Sequence, residues 1–120
     1  MPLSTVLIVD DDEPTRGLID ALMRRYGIPT AIAANGAEAI ELLRDQQFGA
    51  IILDLMMPTV GGRDVIDYLA KAPNRTPVIV CTAAGRTGVG DFDPAIVKAV
   101  LRKPFDIDQM VMTVKAIIKA

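Results

Sequence analysis

The sequence predicts an α/β fold: a five-stranded parallel sheet, doubly wound, with helices on both faces. Three observations carry that prediction. Five short apolar runs recur along the 120 residues, "VLIV" (6–9), "AIAA" (31–34), "AIIL" (50–53), "VIV" (78–80) and "AVL" (99–101). These runs are near-continuous rather than alternating, which suits strands covered on both sides. Stretches with helical periodicity lie between them, so successive strands are joined by right-handed crossovers.

Each helix follows from its own residues. Residues 14 to 26 place Leu18, Ile19, Leu22, Met23 and Tyr26 on one face. Pro14 fits the first turn there, Asp12 or Glu13 can cap it, and Gly27 closes it. Residues 37 to 47 repeat the pattern with Ile40 and Leu43, and residues 62 to 71 carry Val65, Ile66 and Leu69, ending before Pro73. The last helix, 106 to 119, has the apolar stripe Ile107, Met110, Val111, Val114, Ile117 and Ile118; Met110 and Met112 read as packing or surface residues. The connection 83 to 98 is irregular, because "AAGRTGVGDFDP" holds three glycines and a proline. It is expected to be mobile, with a short helix over 94 to 98 capped by Asp93 and started by Pro94.

Length and composition describe one globular domain, residues 1 to 120, with no internal repeat or linker. A net charge of −2 gives no electrostatic basis for contact with nucleic acid or an anionic membrane. No apolar run approaches the roughly 20 residues that span a bilayer, and the N-terminus lacks the basic start of a signal peptide. The chain is therefore read as cytoplasmic. Cys81 is the single cysteine, so no internal disulfide and no cysteine-built metal site can form; it reads as a small buried thiol. Histidine is absent, which removes Ser-His-Asp and Cys-His catalysis and every His-ligated metal site.

The fragment "TVLIVDDDE" runs an apolar strand straight into four carboxylates. At about 4 Å, two such charges repel by roughly 4 kcal/mol at an effective dielectric near 20. Ligands in folds of this kind sit beyond the carboxyl ends of the strands. The groups that stand there are Asp10 and Asp11, then Asp54 after "AIIL", Thr82 after "VIVC" and Lys103 after "AVLR". Oxygen ligands from a few carboxylates, completed by water, describe a Mg²⁺ site that also holds a phosphate. Lys103 suits a phosphoryl oxygen, Thr82 can donate to another, and a carboxylate can be the nucleophile that forms an aspartyl phosphate. Taken singly, an Asp after a strand is usually a turn former or helix cap, and Asp12 and Glu13 are assigned that role. Five groups at four strand ends form a pattern that such local roles do not produce.

These motifs closely resemble the CheY-like receiver domain of two-component response regulators. "VLIVDDDE", "IILDLMMP", "VIVCTA" and "LRKPF" stand in the family's order and spacing over essentially the whole chain. The resemblance implies a flavodoxin-like sheet of order 2-1-3-4-5. It implies that Asp54 accepts a phosphoryl group from a phosphohistidine on a sensor histidine kinase or phosphotransfer protein. Asp11, Asp54 and the backbone carbonyl of Met56 would hold Mg²⁺, with Asp10 acting mainly through bound water. Thr82 and Lys103 would be the switching hydroxyl and the phosphate-binding lysine, with Pro104, a cis position in the family, aiming Lys103 into the pocket. Such a domain promotes only transfer onto its own aspartate, and its output is a contact of the 83–104 face with an effector protein or a fused output domain, or a dimer formed on phosphorylation.

Two positions depart from the family pattern. Val100 stands where an aromatic ring often turns inward on activation, and the glycine-rich 83–93 stretch replaces a regular helix. Together they place the output change in backbone order within that stretch. Met56 and Ala84, two after the aspartate and two after the threonine, cannot orient an attacking water, so a long-lived phosphorylated state is expected. Three rival readings are weaker. A haloacid-dehalogenase-type phosphatase or phosphotransferase wants a second Asp where Met56 stands. A flavodoxin-like nucleotide binder wants a phosphate-cradling first loop where "DDDE" stands. An unphosphorylated receiver-like interaction module has no need of the intact acids, Thr82 and Lys103.

Overall fold

The computed structural model describes residues 5–55, 61–72, 76–82 and 92–118. In chain order the elements are β1 (Val6–Val9), α1 (Glu13–Arg25), β2 (Thr30–Ala33), α2 (Gly36–Asp45), β3 (Ala50–Leu53), α3 (Gly62–Lys71), β4 (Val78–Thr82), β5 (Val97–Arg102) and α4 (Ile107–Ile118). The five strands form one sheet of order β2-β1-β3-β4-β5, and every pairing is parallel. The doubly wound parallel fold is therefore the one the sequence predicted, and its order 2-1-3-4-5 is the one the resemblance implied.

The two-residue period of a strand sorts the core into two halves. Leu7, Val9, Ile51, Leu53, Val78 and Val80 face one side, where Ala39 of α2 and Val65 and Leu69 of α3 close over them. Val6, Ile8, Ala50, Ile52, Ile79 and Cys81 face the other, beneath Ile19 and Met23 of α1 and Met110, Val111 and Val114 of α4. Because both faces are covered, the central strands β1 and β3 are buried at every residue. At roughly 1.5–3 kcal/mol for each fully buried large aliphatic side chain, this double layer is the main source of stability.

The helix termini follow the sequence signals. Asp12 is the N-cap of α1, with Pro14 in its first turn; Gly27 follows at φ 75°, the left-handed conformation that closes a helix. Asn35 caps α2 by accepting from Glu38 N–H at 2.9 Å, and the Glu38 carboxylate reaches back to Ala34 N–H at 2.9 Å. At α3 the N-cap is Gly61, whose N–H donates to Asp64 Oδ2 at 2.9 Å. Glycine has no side-chain oxygen to complete the box.

Three expectations are corrected. The helix over 94–98 is a single turn: Asp93 C=O accepts from both Ile96 N–H and Val97 N–H, and β5 begins at Val97, opposite Val78. Strand pairing at Val97 takes the backbone that the helix would have used. Leu18, Tyr26 and Ile107 are exposed by 52%, 43% and 47%, so the buried stripes of α1 and α4 are narrower than their apolar stripes. Ile32 is also 51% exposed, because β2 is an edge strand of the sheet. The expected mobile segment lies, from 83 to 91, outside the described residues.

Candidate functional site

Strand register assembles the site. Val9 pairs with Leu53, so the residues that follow, Asp10 and Asp54, leave two adjacent central strands at the same level. Asp54 N–H donates to Val9 C=O at 2.9 Å, locking the two ends together. Thr82 pairs with Arg102, which places Lys103 just beyond the end of the neighbouring edge strand. Three strand spacings, about 14 Å, separate β5 from β1. The long lysine stem and the turn after β5, which contains the cis Lys103–Pro104 bond, bridge that distance.

One carboxylate oxygen from each of Asp10, Asp11 and Asp54 lies within 4.8 Å of the others. Asp10 and Asp54 are buried, 2% and 6% exposed, whereas Asp11 is open to solvent. Lys103 Nζ donates to Asp10 Oδ2 at 2.9 Å and sits 3.7 Å from Asp54 Oδ2. Asp10 is held further by Asp12 N–H on Oδ1 at 2.9 Å, and Arg16 Nη1 donates to its backbone carbonyl at 2.8 Å. Desolvation pushes the Lys103 ammonium toward the neutral form. The hydrogen bond to Asp10 and the charges of Asp54 and Asp10 outweigh it and hold the group above the usual lysine value. Lys103 is thus a cation at any neutral pH.

The run of four acids therefore divides its work. Asp12 caps α1, accepting from Thr15 N–H at 3.0 Å and from the Thr15 hydroxyl. The hydroxyl bond, then the amide bond, lower its pKa. Glu13 lies exposed in the first helical turn, where the helix dipole favours it. Only Asp10 and Asp11 join Asp54. Met56 lies outside the described residues, and of Thr82 only the backbone is described.

The donor set fits a hard divalent cation: oxygens only, three negative charges, and one open side at Asp11 through which water can complete an octahedron. Without such an ion, each pair of carboxylates near 4.8 Å repels by roughly 3 kcal/mol at an effective dielectric of 20, and Lys103 offsets only part of the sum.

Two residues at this site carried no legible signal. Arg16 reads as an ordinary exposed helix residue, and Gly62 as the start of a helix. In the fold Gly62 is buried so closely that an added Cβ would stand 2.6 Å from the Asp54 carbonyl oxygen and 2.7 Å from Leu55 Cα. The first turn of α3 thus rests directly on the backbone of the central aspartate.

A parallel 2-1-3-4-5 sheet with three acids and a lysine at its carboxyl end defines a class, and comparison with known proteins gives the family. The family model for the response regulator receiver domain matches residues 6–115, and the chain belongs to that family of signalling domains. It is 34% identical over 116 residues to the transcriptional regulatory protein SrrA of Staphylococcus aureus, which covers 95% of this chain and 47% of that protein. The chain thus spans about half the length of the curated relatives it matches. Among solved structures, the receiver domain of the Francisella response regulator 1452 is similar at a TM-score of 0.88 and 30% identity, covering 99% of this chain and 98% of that one. The response regulator TrrA of Thermotoga maritima, solved in complex with Mg(2+)-BeF, has a TM-score of 0.85 and 25% identity, covering 96% of this chain and 99% of that one. Among the described residues, no helix is long and apolar enough to cross a membrane.

Proposed function

We propose that residues 1 to 120 form a single receiver domain in which Asp54 accepts a phosphoryl group from a phosphohistidine of a sensor histidine kinase or phosphotransfer protein. The observation that carries this reading is the convergence of Asp10, Asp11 and Asp54 oxygens within 4.8 Å, with Lys103 Nζ 3.7 Å from Asp54. Asp11, Asp54 and the Met56 carbonyl would hold Mg²⁺, with Asp10 bonded to its water. The ion, when bound, supplies neutralisation of charge on the phosphoryl oxygens.

The chain's own groups do the rest. An Asp54 carboxylate oxygen attacks phosphorus in line, the P–N bond breaks, and its electron pair stays with the donor imidazole. Lys103, already cationic, takes a phosphoryl oxygen, exchanging part of its bond to Asp10 for a contact with a more highly charged acceptor. The Thr82 hydroxyl donates to another oxygen and draws the following loop with it. The aspartyl phosphate carries close to two negative charges at neutral pH. The readout is a changed contact of the 83–104 face with an effector protein, a fused output domain or a second copy. The domain works in the cytoplasm, and neither nucleic acid nor membrane touches it directly.

The test is incubation with a small acyl phosphate and Mg²⁺, followed by mass spectrometry of the intact protein. One phosphoryl adduct is expected on the wild type and none on Asp54→Asn. Equal labelling of both, or labelling that does not depend on Mg²⁺, overturns the proposal.

A further inference from the structure

Arg63, the second residue of α3, lays its guanidinium over the ring of Phe92, with 5.2 Å from its central carbon to the ring centroid. That separation lies within the range of a cation–π contact. The residue before it, Gly62, has no slack against Asp54 and Leu55: it lacks room for a single methyl group, and its N–H donates to Leu55 C=O at 3.3 Å. Phe92 is half-buried against the core cluster shared by α2, α3 and one face of the sheet. Beyond it, Asp93 C=O accepts the N–H groups of Ile96 and Val97, and Ile96 C=O accepts Val78 N–H, which ties the turn to the first pair of β4 and β5. An unbroken series of contacts therefore leads from the backbone of Asp54 through Gly62, Arg63 and Phe92 to the start of β5.

We propose that Arg63 and Phe92 are the readout pair of this domain, the contact through which a change at Asp54 reaches the start of β5. Val100 has no ring to turn inward, and its β-branched side chain has few rotamers; the ring that responds is Phe92. A close-packed interior passes a displacement on instead of absorbing it. When three oxygens are added to the Asp54 side chain, the backbone beneath α3 shifts. Gly62 has no gap to take up the shift, so Arg63 moves over Phe92. The inference rests on the phosphoacceptor role of Asp54 proposed above.

The experiment records backbone amide shifts of ¹⁵N-labelled protein at Asp93, Ala95, Ile96 and Val97 before and after addition of beryllofluoride with Mg²⁺. These positions suit the question because Val97 is level with Ile51, three residues before Asp54 and two strands away. At about 14 Å it is out of direct contact with the added group. Labelling of Asp54 by acyl phosphate is measured in parallel. In the wild type the four amides shift. In Arg63→Ala and in Phe92→Leu the shifts fall by at least half, the double variant loses no more than either single one, and Arg63→Lys, which keeps a cation over the ring, retains most of them. Asp54 labelling stays within twofold throughout. Full-sized shifts in Arg63→Ala, an exposed position whose replacement leaves the core untouched, overturn the proposal. So does an absence of shifts in wild-type protein that is labelled at Asp54. Failure of wild-type labelling instead overturns the phosphoacceptor reading, and the readout pair falls with it.

Discussion

Lys103 Nζ and Asp10 Oδ2 meet at 2.9 Å although 93 residues separate them in the chain. Asp10 is almost wholly buried, and the Lys103 ammonium faces it. The pair closes β1 against the end of β5 across the mouth of the site, and it ties the stability of the domain to the occupancy of that site.

Replacing Lys103 by Met leaves a buried carboxylate without its ammonium partner. A hydrogen bond to a charged group is worth about 1.5–3 kcal/mol, so a loss of about 2 kcal/mol is expected in urea unfolding with a chelator present. Added Mg²⁺ shrinks the deficit, because a cation among Asp10, Asp11 and Asp54 takes over the neutralisation. In the wild type, Mg²⁺ at ten times its Kd adds about 1.4 kcal/mol. A deficit of equal size with and without Mg²⁺ would separate Lys103 from the metal site.

Two glycines in helices should respond with opposite sign to the same change. Gly17 in α1 is exposed, and an added Cβ would meet nothing within 4 Å. Gly17→Ala is therefore expected to stabilise by about 0.5–1 kcal/mol through helix propensity. Gly62→Ala drives a methyl group into the Asp54 and Leu55 backbone, and overpacking of this kind costs about 1–3 kcal/mol. Denaturant midpoints of the two variants check the sign directly.

Asp20 supplies a pH dependence. The Thr30 hydroxyl donates to it, and Arg24 Nε adds a 3.1 Å bond. The Thr30 bond is the larger influence; it and Arg24 together outweigh desolvation and lower the carboxyl below 3.8. A depressed folded-state pKa means that the stabilisation is fully present above the unfolded value and disappears as pH falls through the folded one. Asp20→Asn should thus be less stable than wild type at pH 7, with the gap closing below pH 3.8. Thermal unfolding at pH 7, 5 and 3 reads this out.

Cys81 lies in β4, 1% exposed. Burial, reinforced by Asp10 and Asp54 and opposed by Lys103, pushes its thiol up to about 11. The thiolate is the reactive form, so iodoacetamide at pH 8 should leave the native protein unmodified over hours and label the urea-unfolded protein within minutes. Rapid native labelling would show that β4 opens readily.

The Met56 side chain has no N–H or O–H group to orient a water attacking the proposed aspartyl phosphate, so that species is expected to persist. Met56→Asn is expected to speed loss of the adduct about tenfold, equivalent to about 1.4 kcal/mol in barrier. An unchanged decay rate would show that Met56 does not set the lifetime.

The local pattern of apolar and polar residues was enough to predict the five strands, the strand-end positions of Asp10, Asp11, Asp54, Thr82 and Lys103, and the stop at Gly27. Each of these depends on neighbours within one or two turns: burial period, cap chemistry, or a backbone that needs positive φ. The sequence also separated Asp12 and Glu13 from the site, since a cap is recognised from the helix that follows it.

What only the tertiary structure decided is which distant groups share space. The equal level of Asp10 and Asp54 comes from the pairing of Val9 with Leu53, and the reach of Lys103 to Asp10 from the order of strands in the sheet. The exposure of Ile32 follows from its edge position, the strand at Val97 from pairing with Val78, and the tight seat of Gly62 from the close approach of the start of α3 to the backbone after β3. None of these is written in a local period, because register, edge position and close approach are properties of two chain segments at once.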